Sequence, residues 1–339
     1  MSSQPRALPD RGGEIEVLSP GVLTTIQDTR GRPGFGALGI AAGGALDWFS
    51  AEAANALVEN SPDAALLELT LQGPALRFTA PTACALAGAE LTATLDGLPL
   101  SCVGSFFVRG GSVLSFGDRR GGVRAYLAVA GGLTVARVLE SRATDLTAGF
   151  GGLAGRRLRA GDRLPYGLIS DPLLLAGRSL AEASWTMAGP EVALRVLPGP
   201  HLHRFEPGAL ESLCAEPWRI SDQADRMGYR LTGGASLRHV AGADVASLGL
   251  PIGAIQVPGD GRPIALLADH QPTGGYPVLA CIIRADLPLL AQRQPGDPVR
   301  FAITTSEEAI TALRDRRALL GAVHHEAFWD DLRSAGAHV

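Results

Sequence analysis

The sequence predicts a mainly β protein built as two β-rich domains with few short helices. Three observations carry this reading. Apolar residues recur with a period of two in one segment after another, the signature of strands with one face on a core. The 43 glycines and 23 prolines make up about a fifth of the 339 residues, a turn-rich composition. Only three segments combine helical patterning with a start signal.

Residues 1–13 read as a disordered leader. From Glu14 onward the period is two. Leu67, Leu69 and Leu71 alternate with Glu68, Thr70 and Gln72, and Leu91, Ala93 and Leu95 with Thr92, Thr94 and Asp96 before an Asp96-Gly97 turn. Val123, Ala125, Leu127 and Val129 form another such strand, ended by Gly131-Gly132. Asp47 is placed to cap a helix over Trp48–Val58. Between Asp171 and Pro190 no clean period holds, so the first domain is expected over 14–190 and the second over 191–304. The second has strand patterns at Val192–Val196, Ile264–Ala268, Val278–Ile283 and Val299–Ile303, and a short helix around Glu206–Cys214. Thr305-x-x-Glu308 is a capping box opening a C-terminal helix, with a tail to residue 339 that includes a solvated His324-His325 pair.

Composition excludes several chemistries. All 30 basic residues are arginine, so no Walker A lysine, Schiff-base lysine or covalently held biotin or lipoyl group is available. Any biotin is expected on a partner. A net charge of −4 gives no general attraction to nucleic acid or to an anionic membrane. Cys84, Cys102, Cys214 and Cys281 are scattered, as expected of buried thiols in a reducing compartment. The N-terminus lacks a signal-peptide core, and no uncharged run reaches transmembrane length, so a cytoplasmic protein is expected.

The motifs differ in weight. Gly34-Phe35-Gly36-Ala37-Leu38-Gly39 fits G-x-G-x-x-G, but loop residues flank it on both sides, so a glycine-rich surface loop is expected rather than a dinucleotide site. Gln27, Asp28, Arg30 and Arg32 end a strand. They form either an anion-holding group or a self-satisfied Asp–Arg turn. His201-x-His203 lacks a third ligand at suggestive spacing, so no metal site is expected. The densest polar segment follows the apolar strand Ile264–Ala268. Asp269, His270, Gln271, Thr273 and Tyr276 fall within eight residues, and Gly274-Gly275 is placed to turn backbone N–H groups toward an anion or carbonyl. A purely structural turn is the alternative.

These segments together resemble the biotin-dependent carboxyltransferase family, which includes allophanate hydrolase subunit 2, the C subunit of 5-oxoprolinase and the C-terminal half of the carboxyltransferase region of urea carboxylase. The resemblance runs over about residues 14–304. It is carried by Gly21–Asp28, Arg32-Pro33-Gly34, Leu46-Asp47, Leu67–Leu71, Arg124–Gly132, Gly149–Gly152, Pro198–His201, Asp225–Leu231, Gly253–Pro258 and Gly274–Pro277. The chain departs from the family pattern at Gly43 (serine in the pattern), Leu248 (acidic), His270 (arginine), Pro272 (threonine) and Val278 (basic).

The resemblance implies a cyclophilin-like barrel for the C-terminal domain and a chain that works with a partner of related fold. It implies the C subunit of an ATP-dependent 5-oxoprolinase, with a B-type 5-oxoprolinase partner and an A-type lactam-utilisation partner, acting on a small amide or lactam. ATP is used by the complex, and no cofactor is covalently bound. The alternatives are a carboxyltransferase component moving carboxyl between partner-borne biotin and urea or a related amide, and a non-catalytic regulatory binder of a kinase-inhibitor-like partner. On the lactam reading Gln256, Asp269, His270 and Gln271 are the expected catalytic residues. Thr273, Gly274, Gly275, Tyr276, Asp225, Arg226, Gln27, Asp28 and Arg30 are expected to bind substrate.

Overall fold

Two long strands, β5 (Thr82–Leu95) and β8 (Val113–Val129), organise the first half of the chain. They pair antiparallel along almost their whole lengths, with register shifts between Gly88 and Ala93. Such bulges bend and twist a ribbon, and here they curl the sheet into a half-barrel. The other members are β1 (Arg11–Ser19), β2 (Leu23–Gln27), β3 (Leu66–Thr70), β4 (Ala75–Phe78), β6 (Leu98–Leu100), β7 (Gly104–Val108) and β9 (Arg163–Gly167). The order is β2-β3-β8-β4-β1-β9, with β5 joining β6, β7 and β8. The computed structural model describes residues 11–101, 103–180, 192–321 and 323–325.

Helix α1 (Trp48–Leu57) lies across this sheet where the sequence places it. Asp47 caps it by accepting the Ser50 N–H at 2.9 Å. Its alanines pack on the β5 and β8 face that carries Ala83, Ala85, Ala87, Tyr126 and Ala128. Ile15, Ile26, Leu67, Leu69, Leu86, Leu127 and Val129 fill the opposite face. Both faces of β3 and the end of β8 are therefore covered, and alternate residues there are buried regardless of polarity.

Three outcomes differ from the sequence reading. β1 begins at Arg11, so strand pairing with β9 reaches into the expected leader. The unpatterned stretch after Asp171 holds a 3-10 turn (Pro172–Leu175) and β10 (Arg178–Leu180). His324 and His325, expected in a solvated tail, lie in a strand whose backbone pairs with Ser179 and Arg178.

The second half forms an eight-stranded sheet from β11 (Leu194–Pro198), β12 (Trp218–Ala224), β13 (Gly228–Thr232), β15 (Ala254–Gln256), β16 (Ile264–Leu266), β18 (Val278–Ile282), β19 (Pro298–Val299) and β20 (Phe301–Ile303). A separate two-stranded ladder joins β14 (Leu248–Gly249) to β17 (Thr273–Gly274), and the His324 strand is β21 (Val323–His325). The sheet order is β19-β12-β13-β16-β15-β18-β11-β20. Its two edge strands are separated by Arg300 alone, so the chain itself brings the edges together and nearly closes the barrel. This is the barrel that the resemblance implies. Leu213, Trp218, Leu231, Ile255, Leu267, Leu279 and Leu290 fill it, and Leu46 from the first half joins the same core.

Three further helices are α2 (Ala209–Ala215), α3 (Leu287–Ala291) and α4 (Ser306–Leu320). The first starts at Ala209 rather than Glu206, because Gly208 in a left-handed conformation is its cap. The last is opened by the expected Thr305–Glu308 capping box. Among the described residues no helix is long and apolar enough to cross a membrane.

Candidate functional site

Strand β16 runs into buried Leu267 and Ala268, which deliver Asp269 to the seam between the two sheets. Arg226, in the turn between β12 and β13, meets it there. Its Nε donates to Asp269 Oδ2 at 2.8 Å and its Nη2 to Oδ1 at 3.0 Å. The same guanidinium donates from Nη1 to Glu68 Oε1 on β3 and from Nη2 to the Gly44 carbonyl at 2.6 Å. Glu68 also accepts the Leu46 N–H at 2.9 Å and the Tyr126 hydroxyl at 2.8 Å. Burial opposes the charge on Glu68, but Arg226 and Arg124 outweigh it and hold the carboxyl below its ordinary value. Burial likewise opposes the charge of Arg226, and Asp269 and Glu68 outweigh it, so its affinity for the proton rises.

A second polar joint lies beside the first. Gln292 Oε1 accepts the N–H groups of Val123 and Arg124 at 2.8 and 2.9 Å, and its Nε2 donates to Asp47 Oδ2 at 2.7 Å. Arg124 donates to the Tyr229 hydroxyl at 2.9 Å and to the Ala291 carbonyl. Burial pushes the Asp47 carboxyl up against the hydrogen bonds from Ser50 and Gln292.

The structure therefore assembles Arg226 and Asp269, but with protein groups on their hydrogen-bonding positions. His270 is similar. Its Nδ1 and Nε2 face the carbonyl oxygens of Leu267 and Leu250 at 2.5 and 3.0 Å, and the ring is buried. Gly274 lies in β17 paired with Leu248, and a side chain there would start 2.9 Å from Gln256 Nε2. Close packing, rather than an anion-binding turn, accounts for glycine at that position. Among the other departures, Val278 is buried and Leu248 packs in the same small apolar cluster.

Two clefts flank the Asp269–Tyr276 loop. One, of about 370 Å³, is lined by Gln256, Gln271, Tyr276, Asp225, Asp222 and Arg230, among others. Gln271 and Tyr276 are exposed at its mouth, and Gln256 is buried with its Nε2 on the Tyr276 carbonyl at 3.1 Å. Asp225 is exposed and caps its own turn through the N–H groups of Met227 and Gly228. The other is a groove of about 790 Å³ between the glycine-rich loop from Arg32 to Ala42 and the residues Gly249–Ile252, His270, Pro272 and Thr273. The loop thus forms a wall of both.

Asp28 is a self-satisfied turn: Oδ1 accepts Gly31 N–H at 2.8 Å, and Oδ2 accepts the Ser141 hydroxyl and the Arg142 N–H at 2.8 and 2.6 Å. Gln27 is fully buried, its Nε2 on the Thr25 hydroxyl and the Thr144 carbonyl. Arg30 sits on the surface in an exposed pair with Glu140. Arg32 is different. Its Nη2 donates to the Ala143 carbonyl at 2.6 Å, its Nε to the Val138 carbonyl at 3.2 Å, and its guanidinium carbon lies 4.7 Å from the Phe150 ring centre. Its Nη1 is buried and has no hydrogen-bond partner among the described residues. Burial lowers its pKa against the nearby Asp145, Asp28 and Asp269 carboxylates.

The carboxyltransferase domain family, subdomains A and B, matches residues 38–303. The chain belongs to this family. It is 39% identical over 303 residues to the C subunit of 5-oxoprolinase from Escherichia coli (strain K12), covering 89% of this chain and 95% of that protein. It is 33% identical over 306 residues to the C subunit of 5-oxoprolinase from Haemophilus influenzae, covering 90% and 96%. The solved structure of the K. lactis urea amidolyase superposes with a TM-score of 0.84 at 27% identity, covering 92% of this chain and 20% of that one. The chain thus corresponds to about a fifth of that larger enzyme.

For this carboxyltransferase-family chain, sequence reasoning missed the seam residues Glu68, Arg124, Tyr126 and Gln292. Glu68 and Arg124 alternate with apolar neighbours and so read as outward-facing, yet both faces of their strands are covered. Arg32 was visible as a charged residue at a strand end, but nothing in the sequence separates it from the exposed Arg30. His201, half of the H-x-H pair, accepts the Val278 N–H at 3.2 Å. Among the described residues no cluster of three or more His, Cys, Asp or Glu side chains has the arrangement to hold a metal ion.

Proposed function

We propose that this chain is the C subunit of an ATP-dependent 5-oxoprolinase, active together with a B-type partner of related fold and an A-type lactam-utilisation partner. The observation that carries the reading is the 39% identity to the E. coli protein across nearly the full length of both chains. The geometry is consistent with it. Two clefts meet at one polar loop, and the loop is held by a buried network that keeps its exposed side chains in place. On this reading Gln271, Gln256 and Tyr276 orient the amide group of the substrate. Asp269 and Arg226 position the loop, and His270 braces it, since both ring nitrogens face carbonyl oxygens. ATP is used by the complex, and this chain carries no covalent cofactor.

The likeness to urea amidolyase supports a second reading, a component that transfers carboxyl between partner-borne biotin and urea. One experiment separates the two. The chain is co-purified with its partner subunits, and ATP hydrolysis is measured with 5-oxoproline, with urea and with neither. Stimulation by 5-oxoproline supports the first reading, and stimulation by urea alone replaces it with the second. In the active complex Gln271→Ala should slow turnover on the order of a hundredfold. Gln271 is exposed, so melting should shift by no more than about 0.5 kcal/mol equivalent. Unchanged turnover would remove Gln271 from the site.

A further inference from the structure

A dense apolar patch lies on the strap of chain between β9 and β10. Leu168, Leu173 and Leu174 fall within seven residues and are 66%, 55% and 62% exposed. A groove of about 710 Å³ runs beside them, lined by Leu168, Ile169, Leu174, Leu175, Val58 and Arg178, among others. It shares no lining residue with the two clefts at the Asp269–Tyr276 loop. Exposed large side chains scattered singly are ordinary, but three together beside a groove mark a surface that something covers.

The path of the chain points to what covers it. Helix α4 has no buried side chain. A helix in a protein gains most of its stability from tertiary packing, so this one needs a hold beyond its own face. Its last residue, Leu320, packs against the same apolar cluster as Ile169. β21 then pairs antiparallel with β10, Val323 opposite Leu180 and His325 opposite Arg178. The chain therefore leaves His325 heading back along the strap, toward Gly177 and the Pro172–Leu175 turn. Arg178 lines the groove, and its Nη2 lies 3.4 Å from the Leu174 carbonyl oxygen. The residues that follow in the sequence include Phe328, Trp329 and Leu332, three large apolar side chains within five positions. Extended chain spans about 3.3 Å per residue, which puts Phe328 and Trp329 within about 10–13 Å of His325.

We propose that the groove beside Leu173 and Leu174 is the docking site of this chain's own residues 326–339, with Phe328 and Trp329 as the anchoring side chains. The segment starts at the mouth of the groove. So short a link gives it an effective concentration there on the order of millimolar, and a free partner competes poorly against that. Docking covers the exposed leucines and ties the end of α4 to the first half of the chain. This tie is independent of the substrate assigned above.

The test uses the full chain labelled with 5-fluorotryptophan and read by fluorine NMR, the Trp329 resonance being assigned with Trp329→Phe. In the parent that resonance should lie away from its position in the urea-unfolded chain. The double variant Leu173→Ser, Leu174→Ser should return it to that position, while the resonances of the buried Trp48 and Trp218 stay in place and report an intact fold. Independently, the amides of residues 168–176 should exchange at least threefold faster in Phe328→Ser, Trp329→Ser than in the parent. That comparison stands even where the strap variant does not fold. A Trp329 resonance at its unfolded position in the parent, or one indifferent to the strap substitutions, overturns the docking. A resonance that leaves the unfolded position only as protein concentration rises, with a doubled mass in sedimentation, gives the groove to a second copy and overturns it as well. So does protection of the strap amides that appears only when the partner subunits are added.

Discussion

Arg226→Met should be among the most damaging single substitutions in the chain, although Arg226 sits in a turn. The residue is 6% exposed and makes hydrogen bonds to Asp269, Glu68 and the Gly44 carbonyl. Methionine keeps much of the stem volume but leaves the Asp269 carboxylate buried without its cation and Glu68 with Arg124 alone, 3.9 Å away. Removing one partner of a buried ion pair costs about 3–5 kcal/mol, mostly for the charge left behind. At about 2 °C per kcal/mol for a chain of this size, the melting temperature should fall by about 6–10 °C. The triple variant Arg226→Met, Glu68→Gln, Asp269→Asn removes the stranded charges as well and should recover more than half of that loss. Differential scanning calorimetry of the three proteins reads both effects. A single variant melting within about 2 °C of the parent, less than one kcal/mol on the same scale, would refute the seam as a source of stability. A triple variant no better than the single would show that lost packing, not unpaired charge, causes the damage.

Three further outcomes are expected. Glu68 has its pKa held below the ordinary 4.5, so its contribution is present above that pH and lost as pH falls through the lower folded value; the urea midpoint should drop more steeply between about pH 5 and 3 in the parent than in Glu68→Gln, and parallel curves would contradict this. Cys84 is fully buried and burial pushes its thiol far up, so peptide mapping after iodoacetamide at about pH 8 should find it unmodified in the folded protein and modified in urea; labelling of the folded protein at a free-thiol rate would contradict its burial. Thr305→Ala removes a reciprocal cap in which Thr305 and Glu308 bond each other's N–H at 3.2 Å, so α4 should lose about 1 kcal/mol and its amides should exchange several-fold faster; unchanged exchange would show that tertiary packing holds the helix without its cap.

Much of the fold is legible in the sequence because it depends on local chemistry. The cap at Asp47, the capping box at Thr305 and the two-residue alternation around Leu67 and Leu127 each follow from groups within a few residues of one another. The features that escape the sequence depend on distant covering. β1 starts at Arg11 because β9, far along the chain, supplies its partner, and β21 pairs with β10 across a similar separation. Barrel closure is intermediate. The shortness of the β19–β20 link is local, but its meaning appears only once β12 and β11 are known to flank it.

The candidate site shows the same division more sharply. A polar loop after a buried strand is correctly marked by sequence as unusual, because buried polar groups need partners. Sequence does not say whether those partners come from the protein or from a ligand. For Asp269 and Arg226 they come from the protein, because Glu68 on β3 is turned into the seam by a strand whose two faces are both covered. For His270 they are two backbone carbonyls. Density of polar residues therefore locates the seam. Once donors are assigned their acceptors, Arg32 Nη1 and Arg124 Nε are among those left without a partner among the described residues, the second lying 3.9 Å from Glu68. Two backbone carbonyls and the Phe150 ring hold the Arg32 guanidinium in place, so its unmet donor is set by groups more than a hundred residues away that no local pattern announces.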